Sequence, residues 1–233
     1  MNTNKNLIMK KIFIGAALLC LLQVACKKDS NPPVKPPEPP SDQSFSTSFE
    51  SMSELTQLGF EFKNLSDDTG DGWSIQSSTL GGATAFDGSN FLYDSYAAST
   101  GYSGIISDWL ISPKLYFQNG DKISFYTLSS GSNDGYGDRL QLRLNTFNTS
   151  DSIGELSTDI GNFTTPLLDI NALYKVSPPG DYPTTWTKYE ATISGLNQPD
   201  SGRFALRYFV ELNGGVNGDE IGVDKLEFTS ANH

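Results

Sequence analysis

Arg139-Leu140-Gln141-Leu142-Arg143-Leu144 alternates polar and apolar side chains residue by residue, and this period of two decides the fold class. Three leucines on one side and two arginines and a glutamine on the other describe a half-buried strand. The same signature recurs on both sides of it. Ile123 and Phe125 flank Ser124 within Asp121–Leu128, and Phe204, Leu206, Tyr208 and Val210 line one face of a strand that turns Arg203, Arg207 and Glu211 the other way. Trp186-Thr187-Lys188-Tyr189 runs into a further strand over Glu190–Ile193, and Gly104 through Ile111 is apolar almost throughout, as a central strand would be. Turn-forming stretches separate them at Gly131–Gly137, Gly195–Gly202 and Asn213–Gly218. From residue 45 onward the only helical periodicity is about one turn near Met52–Leu58. Many short strands without crossover helices predict an all-β antiparallel sandwich or barrel. No internal repeat of fixed period is present.

Composition narrows the chemistry. The chain has 233 residues and a net charge of −11, and its first 25 residues carry three lysines and no acid, so the remainder stands at −14. Such a surface argues against nucleic acid as a partner and against a basic patch for anionic lipid. The two cysteines, Cys20 and Cys26, both precede the strands, and the one histidine is His233, the last residue. The domain therefore has no disulfide framework, thiol nucleophile or multi-histidine zinc site, and no Ser-His-Asp triad.

The N-terminal end predicts export. Lys5, Lys10 and Lys11 precede the apolar run Ile12–Leu22, which is too short for a bilayer span of about 20 residues but right for a secretory signal. Ala25 before Cys26 resembles a bacterial lipoprotein processing site, which implies a signal peptide of residues 1–25 and a lipid on Cys26. Residues 31–40, NPPVKPPEPP, hold six of the twelve prolines and predict an extended spacer within a 26–44 linker. Residues 45–233 form the domain. The arrangement predicts an outer-membrane lipoprotein exposed at the bacterial surface, touching membrane through its lipid alone.

The strands also carry a family likeness. Ser107-Asp108-Trp109-Leu110-Ile111-Ser112-Pro113, with Leu115 and Gly120-Asp121-Lys122-Ile123-Ser124-Phe125 downstream, resembles the core of choice-of-anchor J domains, relatives of cleaved-adhesin and MAM domains. Phe49-Glu50, Gly72-Trp73, Phe86–Tyr93, Asp138-Arg139-Leu140, Trp186, Phe204–Phe209 and Ile221-Gly222-Val223-Asp224 match in order, so the resemblance spans about residues 45–229. It implies a jelly-roll β-sandwich, secretion and a role in binding or adhesion, and it implies no catalytic residues. Lys225 and Ser48 depart from the family pattern, where relatives carry acids.

A calcium site is the metal expectation. First and last strands of a jelly roll are commonly neighbours, so Glu50 and Asp224 are expected to approach each other. Ile221 and Val223 share one phase while Leu226 and Phe228 share the other, a slip that predicts a bulge at Asp224-Lys225 and a re-aimed carboxylate. The family likeness implies a calcium near these termini with a third carboxylate from mid-chain, and Asp87 is assigned to it. The acidic run Asp67-Asp68-Thr69-Gly70-Asp71-Gly72 lacks the ligands of an EF-hand loop at its third and twelfth places, Thr69 and Ser78, and reads as a turn before Trp73.

For ligand binding, two aromatics fall out of phase with the core. Trp186 shares the polar phase of Lys188 and Glu190, and Tyr136 lies in a glycine-rich loop. Rings displayed beside Asn and Asp suit a sugar. Trp109 is expected in the core. These readings converge on a surface-anchored, non-catalytic adhesion or recognition module for glycan or protein. The alternative is a polysaccharide-active hydrolase or lyase using two carboxylates on the same jelly-roll scaffold.

Overall fold

The computed structural model describes residues 42–101, 103–130, 135–212 and 215–231. Its elements, in chain order, are β1 (Phe45–Thr47), α1 (Met52–Leu58), β2 (Glu61–Asn64), β3 (Ser74–Gln76), β4 (Phe91–Ser95), a 3₁₀ turn (Tyr96–Ala98), β5 (Ile105–Ile111) and β6 (Leu115–Phe117). There follow β7 (Lys122–Ser129), β8 (Leu140–Asn145), β9 (Thr165–Ile170), β10 (Thr187–Thr192), β11 (Asp200–Glu211) and β12 (Glu220–Thr229). The helix is where the sequence places it. Ser51 caps its start by accepting from the Glu54 amide, and Gly59 ends it in the left-handed region at φ 88°.

Two antiparallel sheets face each other. The first runs β10-β7-β12-β4-β3, with β1 added along β12; the second runs β2-β5-β11-β8-β9, with β6 added along β11. This is the expected jelly-roll sandwich. The first and last strands pair, Phe45 opposite Phe228, as the metal expectation required. The register of β12 against β7 shifts between Asp224 and Glu227, and Lys225 sits there at φ 50°, so the phase slip is a real bulge.

Alternation sets the core. Leu140, Leu142 and Leu144 of β8, Phe204, Leu206, Tyr208 and Val210 of β11, and Ile221, Val223, Leu226 and Phe228 of β12 meet between the sheets, all buried. Phe45, Phe204 and Phe228 stack with centroids 6.0–6.5 Å apart, and each buried phenyl contributes about 1.5–3 kcal/mol.

The expectation of half-buried strands needs one correction. The side of the second sheet away from this core is also covered, by residues 146–164. Ile153 and Phe163 from that strap pack on Trp109, Ile111 and Ala205 as a second apolar cluster. Every residue of β8 is buried, Gln141 and Arg143 included. Trp109 is in a core as expected, but in this outer one, where its indole NH donates to Ser107 Oγ at 3.0 Å. The arginines hold the strap through its carbonyls: Arg143 Nε bonds Phe163 O at 2.8 Å, Arg203 Nε bonds Thr149 O at 3.0 Å, and Arg207 bonds Ser157 O at 2.5 Å. Arg207 lies between the rings of Phe209 and Trp109, 3.9 and 4.7 Å from their centroids. Alternation alone could not reveal this, because these arginines stabilise a covering segment with no periodicity of its own.

Candidate functional site

The structure gathers the three expected metal ligands around residues 86–90. Asp224 is fully buried at the bulge; its Oδ2 accepts the amides of Phe86 (2.8 Å) and Asp87 (2.9 Å), and its Oδ1 accepts that of Lys225 (2.7 Å). Burial pushes its carboxyl up to about 6. Glu50 Oε1 accepts the amides of Ser89 (2.9 Å) and Asn90 (3.2 Å). Asp87 Oδ2 accepts from Ser48 Oγ at 2.6 Å and from the Lys225 ammonium at 2.8 Å, and the lysine bond, ahead of the serine, lowers its pKa. Calcium takes six to eight oxygens. Here the oxygens face amide donors, a hydroxyl and an ammonium, and no group of three or more His, Cys, Asp or Glu among the described residues is set to hold a metal ion. As arranged, the donor set does not fit a divalent cation, because Lys225 already supplies positive charge on Asp87.

Tyr136 lies elsewhere, on a cavity of about 540 Å³. Four stretches of chain line it: Gly70-Asp71; Tyr96, Ala97 and Ser99–Gly101; Tyr136; and Leu212, Gly215 and Asn217–Asp219. Hydrogen bonds stitch them together. Gly70 and Asp71 donate their amides to Ala98 O (3.0 Å) and Ala97 O (2.9 Å), and Asn64 Nδ2 spans Asp71 O and Ala98 O. A Cβ on Gly70 would fall 2.1 Å from Ala97 O, so only glycine allows this approach. Tyr96 N bonds Asp219 O at 2.8 Å, and Gly218 N bonds Gly137 O at 3.0 Å. Tyr96 and Tyr136 remain 49% and 44% exposed on this braced frame. The sequence singled out Tyr136 but missed Tyr96 and Asp71. The signal available for them was two further turn segments of similar composition, whose convergence depends on tertiary pairing.

Buried acids anchor the same segments. Asp138 Oδ1 accepts from the Asp219 amide (2.9 Å) and the Tyr208 hydroxyl (2.6 Å), and burial raises it to about 7. Asp108 accepts the amides of Trp73 (2.7 Å) and Trp109 (2.9 Å), and burial again raises it to about 7. Asp94 accepts the Ser95 amide at 2.7 Å and is raised by burial and then by Asp108. Its Oδ2 and the Trp73 indole NH have no hydrogen-bond partner among the described residues.

Trp186 is not among the residues lining the cavity that Tyr136 lines. It is half-buried on the outer side of the first sheet, edge-on to Phe91 with centroids 5.7 Å apart, and its indole NH donates to Thr84 O at 2.7 Å. Gly222 of β12 lies beneath it, where a Cβ would stand 3.1 Å from its ring. Leu80, Phe91 and Leu128 complete a third apolar cluster there. Cys26 lies outside the described residues. Among the described residues, no helix is long and apolar enough to cross a membrane.

No family model matches the chain, and no curated protein matches it. Solved structures do. The K1 cleaved adhesin domain of Lys-gingipain from Porphyromonas gingivalis is similar at 18% identity, with 81% of this chain and 99% of that one covered and a TM-score of 0.53. The K2 cleaved adhesin domain of Lys-gingipain aligns at 17% identity over 81% of this chain and 99% of that one, with a TM-score of 0.49. A family 61 carbohydrate-binding module solved with β-1,4-galactotriose aligns at 10% identity over 79% and 94%, with a TM-score of 0.45. The first of these establishes the jelly-roll fold shared with cleaved adhesin domains; at such identity the likeness is one of fold.

Proposed function

We propose that this protein is a non-catalytic recognition module that binds glycan or protein in the cavity lined by Asp71, Tyr96, Tyr136, Asn217 and Asp219, displayed at a bacterial surface by a lipid on Cys26. One observation carries the reading: a concave, braced site of about 540 Å³ presents two exposed tyrosine rings beside the polar side chains of Asp71 and Asn217. Cavities of 300–1,000 Å³ suit small ligands, and flat rings with adjacent hydrogen-bonding groups suit sugars. The scarcity of histidine and thiol in the domain agrees with recognition rather than turnover. Calcium is left out of this reading because Lys225 stands among its expected ligands.

A glycan and protein array, followed by a turnover assay on every hit, tests it. Binding that Tyr136→Ala weakens about fivefold or more, while Trp186→Ala leaves it intact in protein that still folds, is the expected result. Reproducible cleavage of a bound polysaccharide would instead favour the hydrolase or lyase reading, with Asp71 and Asp219 as the two carboxylates on the cavity. For the anchor, membrane fractionation of Cys26→Ala as complete as that of the wild type would overturn the tether.

A further inference from the structure

The cavity has a charge of one sign. Among the residues lining the cavity, Asp71 and Asp219 are acidic and none is basic. Asp71 is exposed, while Asp219 is partly used, accepting a hydrogen bond from Ser130 Oγ. The two exposed tyrosines complete a site of aromatic rings and carboxylates, which is the chemistry that holds an ammonium group: rings attract the cation through their quadrupoles, and a carboxylate pairs with it. An isolated ammonium would need far less space than about 540 Å³. The volume admits sugar rings as well; Ser99, Thr100 and Asn217 line it with their donors committed to Asp67 O, Asp68 O and Glu211 O, which leaves the Thr100 and Asn217 side-chain oxygens as acceptors for a ligand.

We propose that the cavity takes a saccharide bearing a free amine, a hexosamine in its ammonium form, in preference to neutral, N-acetylated or acidic sugars. This rests on the cavity being the binding site, and it adds the class of ligand. An anionic sugar is disfavoured by like charge from Asp71 and Asp219. A neutral sugar gains the stacking but leaves the carboxylates without a partner from the ligand.

Isothermal titration of the full chain with a glucosamine oligomer, and with the same oligomer fully N-acetylated, is the test. At low salt the amine form binds about tenfold or more tightly, and the preference shrinks as salt rises past about 0.15 M. Asp71→Asn reduces the amine preference about threefold, and Tyr136→Ala weakens both forms about fivefold. Equal or tighter binding of the N-acetylated oligomer would overturn the amine class while leaving the cavity as the site. Tighter binding of a lysine-containing peptide, or competition by millimolar calcium, would overturn it in favour of another cation. If neither oligomer binds, the amine class is overturned while the cavity reading passes to the other glycans and proteins of the array; if both bind and Tyr136→Ala changes neither, the cavity reading fails along with the amine class.

Discussion

Around residues 86–90, Glu50, Asp87 and Asp224 are each engaged by backbone amides, a hydroxyl or the Lys225 ammonium, so each of the three has a donor from the chain. Around the cavity, by contrast, Asp71 stands exposed on a rim with no basic side chain among the lining residues. The residue types are the same in the two places. What differs is whether the chain supplies hydrogen-bond donors to the carboxylate itself, as it does for Glu50, Asp87 and Asp224 and does not for the exposed Asp71.

The sharpest way to break this contrast is Asp224→Ala. It leaves the amides of Phe86, Asp87 and Lys225 without their acceptor at a buried position, so denaturant unfolding is expected to show a loss of about 3 kcal/mol, roughly 6–12 °C in Tm. A loss under about 1 kcal/mol would mean the cluster is no structural unit.

Next comes pH. The carboxyls of Asp108 and Asp138 are both raised to about 7 by burial, above the values they take in the unfolded chain. Their protonation therefore favours folding: the contribution is whole below about pH 4 and disappears as pH climbs through about 7. Melting temperature should fall between pH 5 and 8 by an amount equivalent to about 1–3 kcal/mol. Asp138→Asn keeps an acceptor for Tyr208 and Asp219 and should flatten part of that slope. An unchanged slope would show that Asp138 does not titrate in this window.

A smaller effect separates the ammonium from a metal. The Lys225–Asp87 pair is partly exposed, so Lys225→Met should cost no more than about 1 kcal/mol. Wild-type melting should be indifferent to calcium or chelator, and a rise with calcium would reinstate the ion. Smallest of all, Asp71→Asn should change stability by less than about 0.5 kcal/mol, since its carboxylate is on the rim.

Much of the architecture could be read from the chain because period-two alternation survives in β7, β8, β11 and β12, and because the slip at Asp224-Lys225 leaves a visible phase change. Pairing of the two ends followed from the fold class. The strap over Trp109 was illegible, since residues 146–164 show no periodicity and its partners Arg143 and Arg207 look like solvent-facing residues. The site was half legible. Tyr136 announced itself by standing in a glycine-rich turn, whereas Tyr96 follows a strand with no such flag and reaches the cavity only through the bond from its amide to Asp219 O. Trp186 shows the limit of phase arguments: it does point off the polar face of β10, yet Gly222 leaves a hollow that receives its ring.

The pairing of β1 with β12 has a mechanical side. The segment arriving from the N-terminal direction meets the domain at a three-residue strand, Phe45–Thr47, zipped antiparallel to Leu226–Phe228. Under the anchor proposed above, a pull on a bound partner would load the bonds of Gln43 to Ser230 and Tyr116 and then that short ladder. Three residue pairs and the Phe45 ring wedged against Phe60 and Phe228 would then set how much drag the domain withstands before it begins to unravel.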